Sequence, residues 1–426
     1  MSELVKRDSV NVWHPFSQHA TAGEPLPVVR AEGSLLYDDK GKAYIDANSS
    51  WWVNVHGHGH PGIGKALKEQ FDELDHVIFA NVTHPQAIEL AERLTAKLPE
   101  HLTKVFFSDN GSTAAEVALK MCFQYWYNKG EDRPLVMTLE GAYHGDTFGA
   151  MSVGERDRFN KPFEPYFFEA EYLEFPTSEK EKELLDKAKL RFSSGEFAAL
   201  IVEPLIQGAS GMRIYSSSFL DELVRIAREN EVLVIFDEVM TGFGRTGTMF
   251  AMDQCVEKPD LVLLSKGLTA GVLPMGLTIT TDAIFETFLS EKTERGFLHG
   301  HSYTGNPLAC AVANASLDLF EEKETWERIT QLKAWNEASL EQLKTIPNVI
   351  NSRICGTILA FEVNTADRVG YFSGIRNEAY RFALKNGVLL RPLGNTIFIN
   401  PPYCITKEEY DHVIKVISAF LQSLLK

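Results

Sequence analysis

Two short apolar runs constrain this chain more than anything else in it. Val232–Phe236 and Leu261–Leu264 are each four or five residues of Val, Ile, Leu and Phe. Runs of that length and type suit parallel strands covered on both faces. The first is followed at once by Asp237, the second two residues later by Lys266. Ligands in open α/β sheets sit beyond the carboxyl ends of the strands. The pattern therefore predicts a carboxylate and an amine on the ligand-facing edge of one sheet.

An amine held among apolar walls gives up its proton readily and can attack a carbonyl. A pyridine cofactor carried covalently on a lysine needs such an amine, together with an acid for its ring nitrogen. Either residue alone is more simply a solvated turn residue, so the reading gains only from further parts. One is the turn SDNGS (Ser108–Ser112), placed between a strand and a helix. Helix-start amides there form an anion site, with Gly111 admitting close approach and Ser112 adding a hydroxyl. The same turn would serve equally as an ordinary N-cap. A competing signal, G-x-G-x-x-G at Gly242, Gly244 and Gly247, spells a dinucleotide fingerprint. Asp237 and Glu238 just before it would repel a pyrophosphate, and no helical pattern follows at once. A packing loop is the better reading.

Other strand ends add to the same edge. Leu135–Leu139 runs into Tyr143, which is placed to stack on a flat ring, and Asp146 follows closely. Ala198–Val202 ends at Glu203. His144 reads as a structural hydrogen-bonding residue. Trp51 and Trp52 are costly to expose together, so one should wall a pocket or an interface. His56, His58 and His60 alternate with glycine but lack the spacing of a closed metal set. Arg391 after an apolar run suits a carboxylate, although a structural ion pair is the commoner fate. Thr406 and Glu409 form a capping box for a C-terminal helix.

The chain has 426 residues, 44% of them hydrophobic, and a formal net charge of −16. That charge argues against non-specific binding to nucleic acid or anionic membranes. The five cysteines are scattered with no C-x-x-C, and no signal peptide or membrane-spanning run is evident. A reducing cytoplasm is the expected home.

The stretch LVIFDEVMTGFGRTG…PDLVLLSKGLTAGVLPMG resembles the signature of the class III pyridoxal-phosphate aminotransferases, and the likeness extends over nearly the whole chain. It implies an α/β chain of the PLP-dependent transferase fold type I: a large domain with a mainly parallel central sheet (61–315), a smaller α+β domain (316–426), and an N-terminal segment (1–60) that joins the small domain and the site mouth. It further implies pyridoxal 5'-phosphate as cofactor, no metal, and a homodimer with shared sites. Lys266, Asp237 and Tyr143 would act at the reacting ring. Gly111 and Ser112 would hold the phosphate from one subunit, with His301 and Ser302 from the other. Phe16, Trp51, Trp52, Asp146, Arg245, Gly300, Arg391 and Phe398 would line the substrate pocket. The runs WHPF, SSWWVNVHGHGHP, YHGDTFGAMSVG and LRPLGNTIFINPPY resemble the branch of the family that works in biotin biosynthesis. That branch implies 8-amino-7-oxononanoate as acceptor and S-adenosylmethionine as donor. Phe16 and Phe398 stand where relatives often carry Tyr, and His301-Ser302 replaces a frequent Pro-Thr, which makes lysine the alternative donor.

Overall fold

A computed structural model describes residues 2–156, 159–364 and 374–425. Its centre is a seven-stranded sheet. In chain order the strands are β1 (Leu102–Ser108), β2 (Leu135–Leu139), β3 (Ala170–Leu173), β4 (Phe197–Val202), β5 (Leu233–Asp237), β6 (Leu261–Leu264) and β7 (Gly276–Thr281). Their spatial order is β1-β7-β6-β5-β4-β2-β3, and β7 alone runs antiparallel to its neighbours.

The strands β4, β5 and β6 are buried along their whole length. Successive side chains point to opposite faces. Leu200, Val202, Val234, Phe236, Val262 and Leu264 join one apolar cluster, whereas Ala199, Ile201, Ile235, Leu261 and Leu263 join the other. Helix α1 (Gly111–Lys129) covers the second face through Ala114, Ala115, Val117 and Ala118, whose small side chains allow close approach. Helix Ser217–Glu229 covers the first through Phe219, Leu220, Leu223 and Val224. Each large side chain buried here contributes about 1.5–3 kcal/mol, which is why both runs read as continuous.

A four-stranded sheet joins the two ends of the chain. Val28–Glu32, Leu35–Asp38 and Ala43–Asp46 form a meander, and Val388–Leu389 adds in parallel beside Ala43–Asp46. A third sheet holds Val349–Cys355, Ile358–Val363 and Thr396–Ile399. The C-terminal helix Lys407–Ser423 starts with the expected box: Glu409 N–H donates to Thr406 Oγ1 at 3.2 Å, and Thr406 N–H donates to Glu409 Oε2 at 2.8 Å.

Within the N-terminal thirty residues, Glu3–Asn11 is a helix and Val28 begins a strand. That helix buries only Val5, so its sequence carries little periodic signal. The glycine triplet is a packed loop. Below it, fully buried Glu238 accepts bonds from Thr241 Oγ1 and from the N–H groups of Ala251 and Met252, at 2.5–2.9 Å. Among the described residues no helix is long and apolar enough to cross a membrane, and no cluster of His, Cys, Asp and Glu could hold a metal ion. All five cysteines are free.

Candidate active site

The carboxyl ends of the parallel strands open into one cavity of about 900 Å³. The register explains why Asp237 and Lys266 meet there. Asp237 at the end of β5 lies level with Leu263 on β6, so Lys266 stands three residues further along, one strand over. Lys266 has φ +44°, a left-handed conformation that costs a non-glycine residue on the order of 1–3 kcal/mol and tends to mark functional sites. Its amine sits 5.0 Å from the centre of the Trp52 ring. Burial lowers its pKa below that of an ordinary lysine, against the opposing charges of Asp237 and Glu203.

Asp237 is held from two sides. Oδ2 lies 2.7 Å from His144 Nδ1, and Oδ1 accepts the Val239 N–H at 3.0 Å. His144 Nε2 is buried with no hydrogen-bond partner. Beside this pair lies Glu203, which accepts the N–H groups of Tyr143 and Gly208 at 3.1 and 2.9 Å. Burial, reinforced by the charge of Asp237, pushes its carboxyl up to about 7. Tyr143 donates to Asp146 Oδ2 at 2.9 Å, and burial with that carboxylate raises the phenol above its usual range.

The phosphate-sized end is the start of α1. Asn110 is the N-cap: Thr113 N–H donates to Asn110 Oδ1 at 3.0 Å. Gly111 and Ser112 follow, in the first turn, where amides lack intrahelical acceptors. A Cβ on Gly111 would lie 2.8 Å from Val239 Cγ1, and one on Gly145 would lie 2.1 Å from Ser112 Oγ, so both glycines are needed for this approach. Ser112 Oγ accepts the Asp146 N–H at 3.1 Å.

The structure gathers Phe16, Trp51, Trp52, Gly111, Ser112, Tyr143, Asp146, Asp237 and Lys266 around this one cavity. Six expected residues are not among its lining. Arg245 is only 1% exposed and turns away, donating from Nη1 to the carbonyls of Asn400 and Pro401 at 3.0 Å. Phe398, also 1% exposed, packs behind Trp52 with ring centres 6.0 Å apart. The Arg391 guanidinium lies over the Trp51 ring, 4.9 Å from its centre. Gly300, His301 and Ser302 lie elsewhere in the single chain, where His301 N–H donates to Thr304 Oγ1. The cavity also includes residues that the sequence did not single out, chiefly Glu155, Phe159, Ser210 and Arg213. Ser210 and Arg213 belong to the small hairpin Ile206–Gln207/Arg213–Ile214, whose two-residue strands leave no pattern to read.

A desolvated lysine and a braced aspartate at adjoining strand ends, with a helix start suited to an anion, define the site of a pyridoxal-phosphate enzyme of the transaminase type. The comparisons agree. Residues 17–421 match the family model described as aminotransferase class-III. The chain is 45% identical to the adenosylmethionine-8-amino-7-oxononanoate aminotransferase of Synechococcus elongatus, over 97% of this chain and 99% of that one. The crystal structure of the enzyme of that same name from Methanocaldococcus jannaschii superimposes with a TM-score of 0.92 at 36% identity, covering 98% of both chains. A PLP-bound amine transaminase from an uncultivated Pseudomonas species gives a TM-score of 0.90 at 28% identity, covering 97% of this chain and 98% of that one. The protein belongs to the class III aminotransferases and is a pyridoxal-phosphate-dependent enzyme.

Proposed function

We propose that this enzyme moves an amino group onto 8-amino-7-oxononanoate, giving 7,8-diaminononanoate for biotin biosynthesis, with S-adenosylmethionine as donor. The observation that carries the reading is the shared cavity of Asp237 and Lys266 behind an aromatic wall of Phe16, Trp51 and Trp52. Near full-length identity to relatives that bear the name of that activity supports the choice of substrates. When bound, pyridoxal phosphate supplies a ring that accepts electrons from the substrate carbon.

The chain's own residues would divide the work. Gly111 and Ser112 would hold the phosphate, Tyr143 would lie against the ring, and Asp237, fixed by His144, would keep a carboxylate on the ring nitrogen. The Lys266 amine would carry the cofactor and then take and return the proton at the amine-bearing carbon. Its lowered pKa favours the neutral amine that this task requires. Donor and acceptor would occupy the cavity in turn. In this reading Gly300, His301 and Ser302 complete the site of a second copy, in a homodimer located in the cytoplasm.

Arg391, lying over the Trp51 ring, would receive the acceptor's carboxylate. Arg391→Ala should raise the acceptor's KM about 10–100-fold, the worth of a charged hydrogen-bonded pair at about 1.5–3 kcal/mol. The donor's KM should move far less. Equal changes in both would remove Arg391 from this role.

The donor is tested by half-reaction. Holoenzyme mixed with S-adenosylmethionine alone should lose its cofactor absorbance, and holoenzyme mixed with lysine alone should keep it. The reverse result would assign lysine. Phe16 motivates that second reading, because it lines the cavity without a hydroxyl to offer the donor's polar groups. A panel of ω-amino acids and amines separates both from the broader amine transaminases.

A further inference from the structure

One buried carboxylate lies behind the aromatic wall and outside the chemistry described so far. Asp46 ends the strand Ala43–Asp46, is 0% exposed, and is not among the residues lining the cavity. Three residues later the chain enters an unusual turn. Ser49, Ser50 and Trp52 have φ of +48°, +58° and +67°. None is glycine, so all three adopt a backbone conformation that L side chains rarely take. Trp51 and Trp52 emerge from this turn. Trp52 faces the Lys266 amine, and Trp51 lies between Phe16, at 5.3 Å between ring centres, and the Arg391 guanidinium. The turn thus sets where both ends of the pocket wall stand.

Asp46 holds the turn in that conformation. Its Oδ2 accepts the Ser50 N–H at 2.6 Å and the Ser50 hydroxyl at 3.1 Å, and its Oδ1 lies 3.3 Å from the Asn48 N–H. A third partner of Oδ2 is His58 Nε2 at 2.9 Å, its sole ion-pair partner among the described residues. The histidine comes from the HGHGH run, which here serves this contact. The far side of the turn is tied to the strand that carries Phe398: Ser49 Oγ donates to the Asn400 carbonyl at 2.8 Å, and Asn48 Nδ2 donates to the Phe398 carbonyl at 3.1 Å. Asn48 Oδ1 accepts the Arg391 N–H at 2.7 Å.

We propose that Asp46, supported by His58, is a positioning residue for substrate binding: it clamps the left-handed Ser49–Trp52 turn and thereby sets the spacing between Trp51, Trp52 and Arg391. This rests on the reading that the cavity takes an aminotransferase's two substrates.

The test uses full-length holoenzyme, with rates expressed per bound cofactor. Asp46→Asn keeps the side chain's size but removes its charge and one acceptor. It should raise the acceptor's KM about tenfold, lower kcat less than threefold, and leave cofactor affinity within twofold. If the effect runs through the wall, Asp46→Asn should add little once Trp51→Phe is present, and the two changes should be non-additive. Should Asp46→Asn fail to fold, His58→Phe should show the same KM rise, and His58→Gln, which can still donate, should restore it. A purely structural role would lower the melting temperature and the holoenzyme yield while KM per bound cofactor stayed at the wild-type value. That outcome, or strict additivity with Trp51→Phe, would overturn the proposal. Wild-type enzyme inactive with every donor–acceptor pair would instead sink the functional reading beneath it.

Discussion

Lys266→Ala is expected to abolish turnover, by a factor of about 10⁴ or more, while the protein still binds pyridoxal phosphate non-covalently. The loss has two sources. The amine proposed to move the proton would be gone, which alone is worth roughly 10²–10⁴-fold, and so would the proposed covalent attachment. Cofactor binding persists because its other expected contacts lie on different elements: the start of α1, the end of β5 and the loop after β2. Lys266→Arg should be equally inactive, because a guanidinium stays charged where a neutral amine is needed. Steady-state rates with both substrates, beside equilibrium dialysis of the cofactor, check the prediction. Full activity in Lys266→Ala would remove the lysine from the chemistry.

Asp237→Asn should lower kcat by about 10²–10³ and weaken cofactor binding, with the fold intact. The carboxylate is buried and braced, and in the proposed reading its charge would be offered to the ring nitrogen. Losing one member of a buried charged pair costs roughly 3–5 kcal/mol, a hundredfold or more in an equilibrium or a rate. Asparagine keeps the shape and can still accept the Val239 N–H, so the defect should appear in kcat per bound cofactor and not in thermal stability. Wild-type kcat would contradict the assigned pairing. A fall in melting temperature with normal kcat would make Asp237 a structural residue.

Much of the site was legible because burial on two faces leaves an unbroken apolar run. Val232–Phe236 and Leu261–Leu264 became β5 and β6 with boundaries shifted by at most a residue, and Asp237 and Lys266 followed from their ends. Cap chemistry was similarly local, as Thr406 with Glu409 shows. What could not be read depends on contacts distant in sequence. Arg245 sits in a motif that resembles a substrate-shaping loop, yet its guanidinium faces carbonyls 155 and 156 residues away. His144 looks like any polar residue after a strand until Asp237, 93 residues on, appears beside it. The turn at Ser49–Trp52 has no glycine to announce its left-handed backbone. Gly300, His301 and Ser302 are not among the residues that line the cavity.

In the proposed reading Lys266 and Asp237 grip one pyridoxal phosphate between adjoining strand ends. Borohydride reduction of the holoenzyme, followed by proteolysis and mass spectrometry, tests it most directly. One modified peptide is expected, carrying the reduced cofactor on Lys266, in the wild type and, at a lower yield, in Asp237→Asn. Cofactor fixed to another lysine, or none fixed after saturation with pyridoxal phosphate, would contradict it.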